Sequence, residues 1–592
     1  MCGIFGYFDF KNESKDEAVV KSMGEVIWYR GPDGMGYYHD KGRALGNQRL
    51  AILDIDHGQQ PFYSDDNDII VVQNGEIFNH IELARDLEDG PFACETSCDT
   101  EVILRLYQKY GIEFISMLNG MFAISIYDKR IDSMYLIRDR VGEKPLYFHQ
   151  NHQCLSFGSE IKSILQTGVE RKLNHQALDT YISYNYVVPP LTMFEGVRHV
   201  MPGTYLKVSN DKVEEIEWWD MAVIEPVEYS EEQWIERLNS TLDSATKIRL
   251  RADVPFGAFL SGGVDSSSVV GFMSQNLDKA VKTFSIGFHD KKYDESLFAE
   301  TAAKRFGTEH ICEKVEANLL GLWSKATYHC DQPHGDVSFM PTYKVAELAS
   351  KQVKMVLTGD GADELFAGYD KYKHFFEKQS ENLTKDEFQS KYLESISLFQ
   401  KEQKEKLYSP SMKAAVGDFD SHANARALFE NVPHQDRINQ VLYVDTKLLL
   451  SGNNLVKPDR MGMAASIENR APFLDHRMIE LAFSIPGQLK LNNGETKYIF
   501  KKAVENLIGA DLAYRQKQMF TVPIGEWLKL ELKPMVEDLL FSDRALARGL
   551  YEPQYVIDLY ENHCKGSANN TREIRALMAI ELWFREFLDV HL

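Results

Sequence analysis

The chain has 592 residues, 44% hydrophobic and 26% charged, the profile of a globular protein with more than one domain. Its net charge of −22 argues against nucleic acid as a partner, because phosphate binding needs clustered Lys and Arg, and no apolar run of about 18 residues offers a membrane span. Seven cysteines in this length do not read as a disulfide framework, and the opening lacks the basic-then-apolar layout of a signal peptide, so a cytoplasmic location is expected.

The first two hundred or so residues are strand-rich. "DIIVVQNGEIF", "MFAISIYD" and "SMYLIRDR" are short β-type runs, while "IELARDLED" and "TEVILRLYQKYG" carry helical spacing. That order predicts sheet layers with helices packed outside them. Cys94 and Cys98 sit close together, but no second Cys/His pair completes a zinc site, so both read as packing residues. Around 209–235 the chain turns acidic and irregular. The boundary is placed there, giving domains 1–215 and 216–592.

Beyond it the pattern alternates. "FGAFLS" reads as a strand followed by a Gly turn and a helix near 266–277; "VKTFSIGF" is a strand, "SLFAETAAKRFG" and "TYKVAELASKQ" are helices, and "VKMVLTG" is a strand. Strands alternating with such helices predict a parallel, doubly wound sheet. Residues 377–436 are charged and mostly helical, and "REIRALMAIELWFREFLD" is an amphipathic helix.

Cys2 directly follows Met1. If Met1 is removed, one residue carries a thiol nucleophile and an α-amine of ordinary pKa near ~8 that can act as its base. Alone, this position is better explained by the accident of a start codon. "CGIFGYF" is accompanied, however, by "RGPDG", "NQRLAILD", "QNGEIFNH" and "CDTEVIL", in order and at sensible spacing. Together they resemble the glutaminase domain of class II glutamine amidotransferases, an N-terminal-nucleophile αββα sandwich. The resemblance implies that the Asn74 side chain and the Gly75 N–H stabilise the oxyanion of amide hydrolysis. Arg49 would receive the glutamine α-carboxylate, and Asp99 with Glu76 its α-ammonium. Arg30 would order a loop over the glutamine.

"FLSGGVDSSSVV" lies at a strand-to-helix turn. Ser261, Gly262, Gly263, Asp265 and Ser266 match the SGGxDS loop of ATP pyrophosphatases, which is associated with cleavage between the α- and β-phosphates. Glycines let the backbone fold round phosphate, and a helix N-terminus adds donors. A second acidic loop, "LTGDGADELFAGY", again ends a predicted strand. Two carboxylates at opposed strand ends, by resemblance Asp265 and Asp363, would share Mg²⁺ with the phosphates. Thr358 and Gly359 would lie along the nucleotide, with Phe259 and Ile286 bordering its base. Lys497 matches the family lysine that steadies the reacting phosphates and carboxylate. "ENRAPFLDHR" and "RQKQMFTVPIGEWL" are further family blocks, expected on the acceptor side.

Both halves together resemble the glutamine-hydrolysing asparagine synthetase family, a class II glutaminase domain fused to a synthetase domain of the adenine nucleotide α-hydrolase-like type with extra helices. The resemblance implies conversion of glutamine, aspartate and ATP to asparagine, glutamate, AMP and pyrophosphate, through a Cys2 thioester, transferred ammonia and an acyl-adenylate. ATP is a substrate, Mg²⁺ the cofactor, and a homodimer the assembly considered. A tunnel with apolar walls at the domain interface would keep ammonia neutral. Two features depart from the best-known members. Asp360 replaces a glutamate thought to act as base toward ammonia, and "DQPHGDVSFMPTYKVAE" lacks the arginine of their Thr-Thr-Ile-Arg stretch. Three readings therefore stand: asparagine formation, amidation of another carboxylate such as a sugar uronic acid in surface-polysaccharide synthesis, and retained glutaminase or nucleotide sensing alone. The Gly-rich loop, Asp363 and Lys497 oppose the third. Cys2, Arg49, Asn74 and Asp99 oppose the related β-lactam synthetase route.

Overall fold

The computed structural model describes residues 2–589 apart from 14, 211, 291–293, 295, 317, 379–382 and 516–522. Met1, and residues 516–522 of the Arg515–Leu528 block, lie outside the described residues. Two six-stranded antiparallel sheets form the first part of the chain. In one, Cys2–Asp9 lies between Cys154–Gly158 and Arg43–Arg49; in the other, Ile69–Ile77 pairs with Gly120–Asp128, which pairs with Ser133–Arg138. Side chains alternate along each strand, so both faces of each sheet can be buried. Ile4, Phe8 and Leu45 meet Ile70, Val72 and Leu136 between the sheets. The opposite faces take Phe5 and Tyr7 against Val20 and Met23 of helix Glu17–Glu25, and Ile69 and Val71 against Val102, Ile103 and Leu106 of helix Asp99–Tyr110. The result is the expected αββα sandwich.

The second part is built on a five-stranded parallel sheet. Its order is Glu309–Val315, Lys282–Phe288, Phe256–Phe259, Met355–Leu357 and Glu468–Arg470, so the winding reverses between Phe256–Phe259 and Met355–Leu357. A reversal opens a crevice at the carboxyl ends of the two strands. The strands Glu309–Val315 and Glu468–Arg470 were not among those predicted.

Strand Lys212–Glu217 closes the second antiparallel sheet. Helix Glu231–Ile248 opens with a capping box, Ser230 and Gln233 each satisfying the other's backbone N–H, and buries Trp234, Leu238 and Leu242 in the synthetase-side core. The boundary expected at 215/216 would cut strand Lys212–Glu217, so we propose that the domain division falls between these two elements, at 218–230. The halves are not separate bodies, however. Tyr181, Phe194 and Val197 share one core with Leu577, Trp583 and Phe587.

Charge also joins them. Arg30, fully buried, pairs with Glu160 at 2.9 Å and bidentately with Asp459 at 2.9 and 3.0 Å. Arg460 reaches Glu160 at 2.9 Å, and Lys162 reaches Asp331 at 2.7 Å. Arg30 therefore fixes the interface between the halves. Removing one partner of a buried pair strands the other's charge, so Arg30→Ala is expected to lower unfolding stability by about 3–5 kcal/mol. Denaturant titration measures the loss. No helix among the described residues is long and apolar enough to cross a membrane.

Candidate active site: two pockets joined through a buried interface

Cys2 begins the central strand of the first sheet and is almost fully buried. Its N–H donates to Asn74 Oδ1 at 3.1 Å, and Arg30 Nε donates to its carbonyl at 3.1 Å. Asn74 sits on the facing sheet, and one of its amide N–H groups donates to Ser159 Oγ at 3.2 Å. Ser159, which the sequence did not single out, also accepts the Ile4 N–H at 3.0 Å and so ties the two sheets together at Cys2.

Gly75 has φ +146°, and a Cβ there would lie 1.9 Å from the Met121 carbonyl oxygen. Only glycine fits without moving the neighbouring strand. Gly75→Ala is expected to destabilise the protein by at least about 2 kcal/mol and to displace the N–H that follows Asn74. Thermal unfolding and a glutaminase assay read the two effects.

Asp99, first residue of its helix, accepts the Gln73 side-chain N–H at 3.0 Å and the Ile77 N–H at 2.9 Å. Glu76 is buried nearby, and burial together with Asp99 holds its carboxyl well above the usual range, against the pull of Arg470. Arg49 lies opposite Cys2 across the strand pair. Its guanidinium donates to the carbonyls of Leu53, Asp54 and Ile55 at 3.1, 2.7 and 3.0 Å, so part of its fork shapes that loop. Cys94 and Cys98 are both free thiols.

The second pocket stands at the sheet reversal. Ser261, Gly262 and Gly263 turn from strand Phe256–Phe259 into helix Val264–Asn276, with Ser261 Oγ and Ser266 Oγ 3.0 Å apart. Thr358, Gly359 and Asp360 follow strand Met355–Leu357. The two strands are parallel neighbours, so Asp265 and Asp363 stand beyond the same ends, not opposed ones as expected. A Cβ on Gly359 would come within 2.8 Å of Asp265 Cβ, so the acidic loop lies directly on the start of the helix. Phe259 pairs with Phe284, two residues before Ile286 on the adjacent strand; Phe259 and Ile286 are both half-buried.

Lys497 joins the loops. Its Nζ lies 2.7 and 2.6 Å from the two Asp265 oxygens and 2.7 Å from Asp363 Oδ1. Asp360 faces the first half of the chain instead. It lines a cavity of about 20 Å³, shared with Glu143, Lys144, Pro458, Asp459 and Ala471, that is large enough for one water-sized molecule. Burial raises its pKa. The wall of this cavity is mixed, and its Asp459 belongs to the buried ion network.

Residues 1–219 match the family profile described as glutamine amidotransferase domain, and residues 237–585 match that described as asparagine synthase. The glutamine-hydrolyzing asparagine synthetase 1 of Bacillus subtilis is 32% identical, covering 98% of this chain and 96% of that one. A putative glutamine-hydrolyzing asparagine synthetase 2 of Methanocaldococcus jannaschii is 38% identical over 62% of this chain and 76% of its own. Amidase chyE of Penicillium rubens is 29% identical over 93% of each chain.

Proposed function

The chain belongs to the asparagine synthase family, and from that premise we propose that it makes asparagine from aspartate, glutamine, ATP and water, releasing glutamate, AMP and pyrophosphate. The observation that carries the reading is the pairing of two built sites in one chain: Cys2 held by Asn74, and Lys497 held between Asp265 and Asp363.

With Met1 removed, the Cys2 thiol attacks the glutamine carboxamide while its own α-amine takes the thiol proton and hands it to the leaving ammonia. Asn74 and Gly75 donate to the developing oxyanion. Arg49 and Asp99, with Glu76 beside it, orient the substrate's two charged ends. Water then releases glutamate from the thioester. At the second site Ser261, Gly262, Gly263 and Ser266 cradle phosphate, Thr358 and Gly359 run along the nucleotide between Phe259 and Ile286, and the acceptor carboxylate attacks the α-phosphorus. Asp265 and Asp363 are hard oxygen donors on facing loops, a set suited to Mg²⁺ held jointly with phosphates. Bound there, the ion would supply charge neutralisation. Lys497 steadies the same charge, and Asp360 takes a proton from the attacking ammonia.

Acceptor-dependent exchange of pyrophosphate into ATP tests the reading. Aspartate should drive exchange and yield asparagine on adding glutamine. Exchange with a uronic acid alone would replace the acceptor, and exchange with neither would overturn the ligase reading. Asp360→Asn is expected to keep aspartate-dependent exchange yet lower amide formation roughly a hundredfold, because the base acts after adenylation. Following exchange and asparagine in parallel separates the two steps.

A further inference from the structure

Glu468–Arg470 is an unusual strand: three residues, all buried, two of them charged. Arg470 is fully enclosed, and each nitrogen of its guanidinium is used. Nε donates to Glu468 at 2.5 Å, Nη1 to the carbonyls of Arg249 and Arg251 at 2.9 and 2.7 Å, and Nη2 to Glu76 Oε2 at 3.1 Å. Its own carbonyl accepts the Thr358 N–H at 2.9 Å. One residue thus holds a carboxylate of the first pocket with its side chain and the nucleotide loop of the second with its backbone.

The contact with Glu76 lies beside Asp99, the residue proposed to receive the substrate ammonium. Glu76 follows Gly75 in the strand, and burial, with the field of Asp99 added to it, opposes its ionisation. A ligand ammonium beside Asp99 cancels that field and favours the ionised Glu76, which grips a guanidinium more strongly. We propose that Arg470 is the positioning residue through which glutamine occupancy and the setting of the Thr358–Asp360 loop are coupled. The proposal rests on the functional reading above. It adds that the two sites bind their substrates cooperatively through this one side chain.

By linkage, a coupling between two sites appears equally in both affinities. In the full-length Cys2→Ala protein, which cannot hydrolyse glutamine, calorimetry should find glutamine bound at least about fivefold more tightly when α,β-methylene-ATP, Mg²⁺ and aspartate are present. Arg470→Lys in that background keeps the charge but cannot span the four partners, and the enhancement should vanish. Glu468→Gln, which loosens the Nε anchor, should reduce it in part and serves if the lysine variant fails to fold. With Cys2 intact, Arg470→Lys should raise the glutamate released per asparagine formed severalfold. No enhancement in the Cys2→Ala parent, or an enhancement that survives both substitutions, overturns the coupling. Failure of the wild-type protein to form any amide from glutamine would instead remove the functional reading, so the two failures are distinguishable.

Discussion

Cys2→Ala should abolish glutamine-driven amide formation, by at least about a thousandfold, and leave ammonia-driven formation within about twofold. The asymmetry follows from the placement of the thiol. Cys2 lies in the sandwich core, its N–H on Asn74 and its carbonyl on Arg30. Removing one sulfur from a strand whose backbone bonds remain leaves only a small cavity, so the fold and the second pocket should persist. Without the thiol, water would have to attack an unactivated amide directly, and the remaining oxyanion donors recover only part of the rate. Parallel assays with glutamine and with ammonium salt, at equal ATP and aspartate, decide the matter. Equal loss from both nitrogen sources would mean that Cys2 acts structurally. Full retention with glutamine would mean that another group is the nucleophile.

The residues that set this expectation were legible because their requirements are local. "CGIFGYF" and "QNGEIFNH" each carry their constraint within a few positions, and the Gly75 backbone has no alternative to glycine. The strand runs were also readable, because a strand buried on both faces must be apolar throughout. Strand Glu468–Arg470 fails that test: it is central to function yet polar, since its charges are satisfied by Glu76 and by backbone carbonyls far away in sequence. Glu309–Val315, the outermost strand of the parallel sheet, is largely half-exposed and similarly lacks an apolar signature. The Arg30 network was hidden for a related reason. Glu160 and Asp459 are 130 and 429 positions from Arg30, and no periodicity links such pairs. Only the fold could show that an arginine in the "RGPDG" motif is an interface residue.

Lys497→Met is the complementary case, expected to lower synthesis from both glutamine and ammonia by about a thousandfold while glutaminase activity stays within a few fold. The ammonium is buried, and burial alone would pull its pKa down. Asp265 and Asp363 outweigh that and hold it above the ordinary lysine value. A raised pKa means the pairing contributes stability fully below the ordinary lysine value of about 10.4 and loses it only as pH climbs through the higher folded value. Lys497 is therefore charged across any working range. Methionine fills similar volume but leaves two carboxylates facing each other beside Gly368, where a Cβ would already meet Lys497 Cε at 2.0 Å. The variant should bind nucleotide weakly without extra Mg²⁺ and should lose stability that rises again as pH falls and the carboxylates protonate. Pyrophosphate exchange with aspartate reads the synthetase loss, and glutamate release without ATP reads the intact first site. Exchange within threefold of wild type would remove Lys497 from the reacting centre and leave it a structural clamp between the two loops.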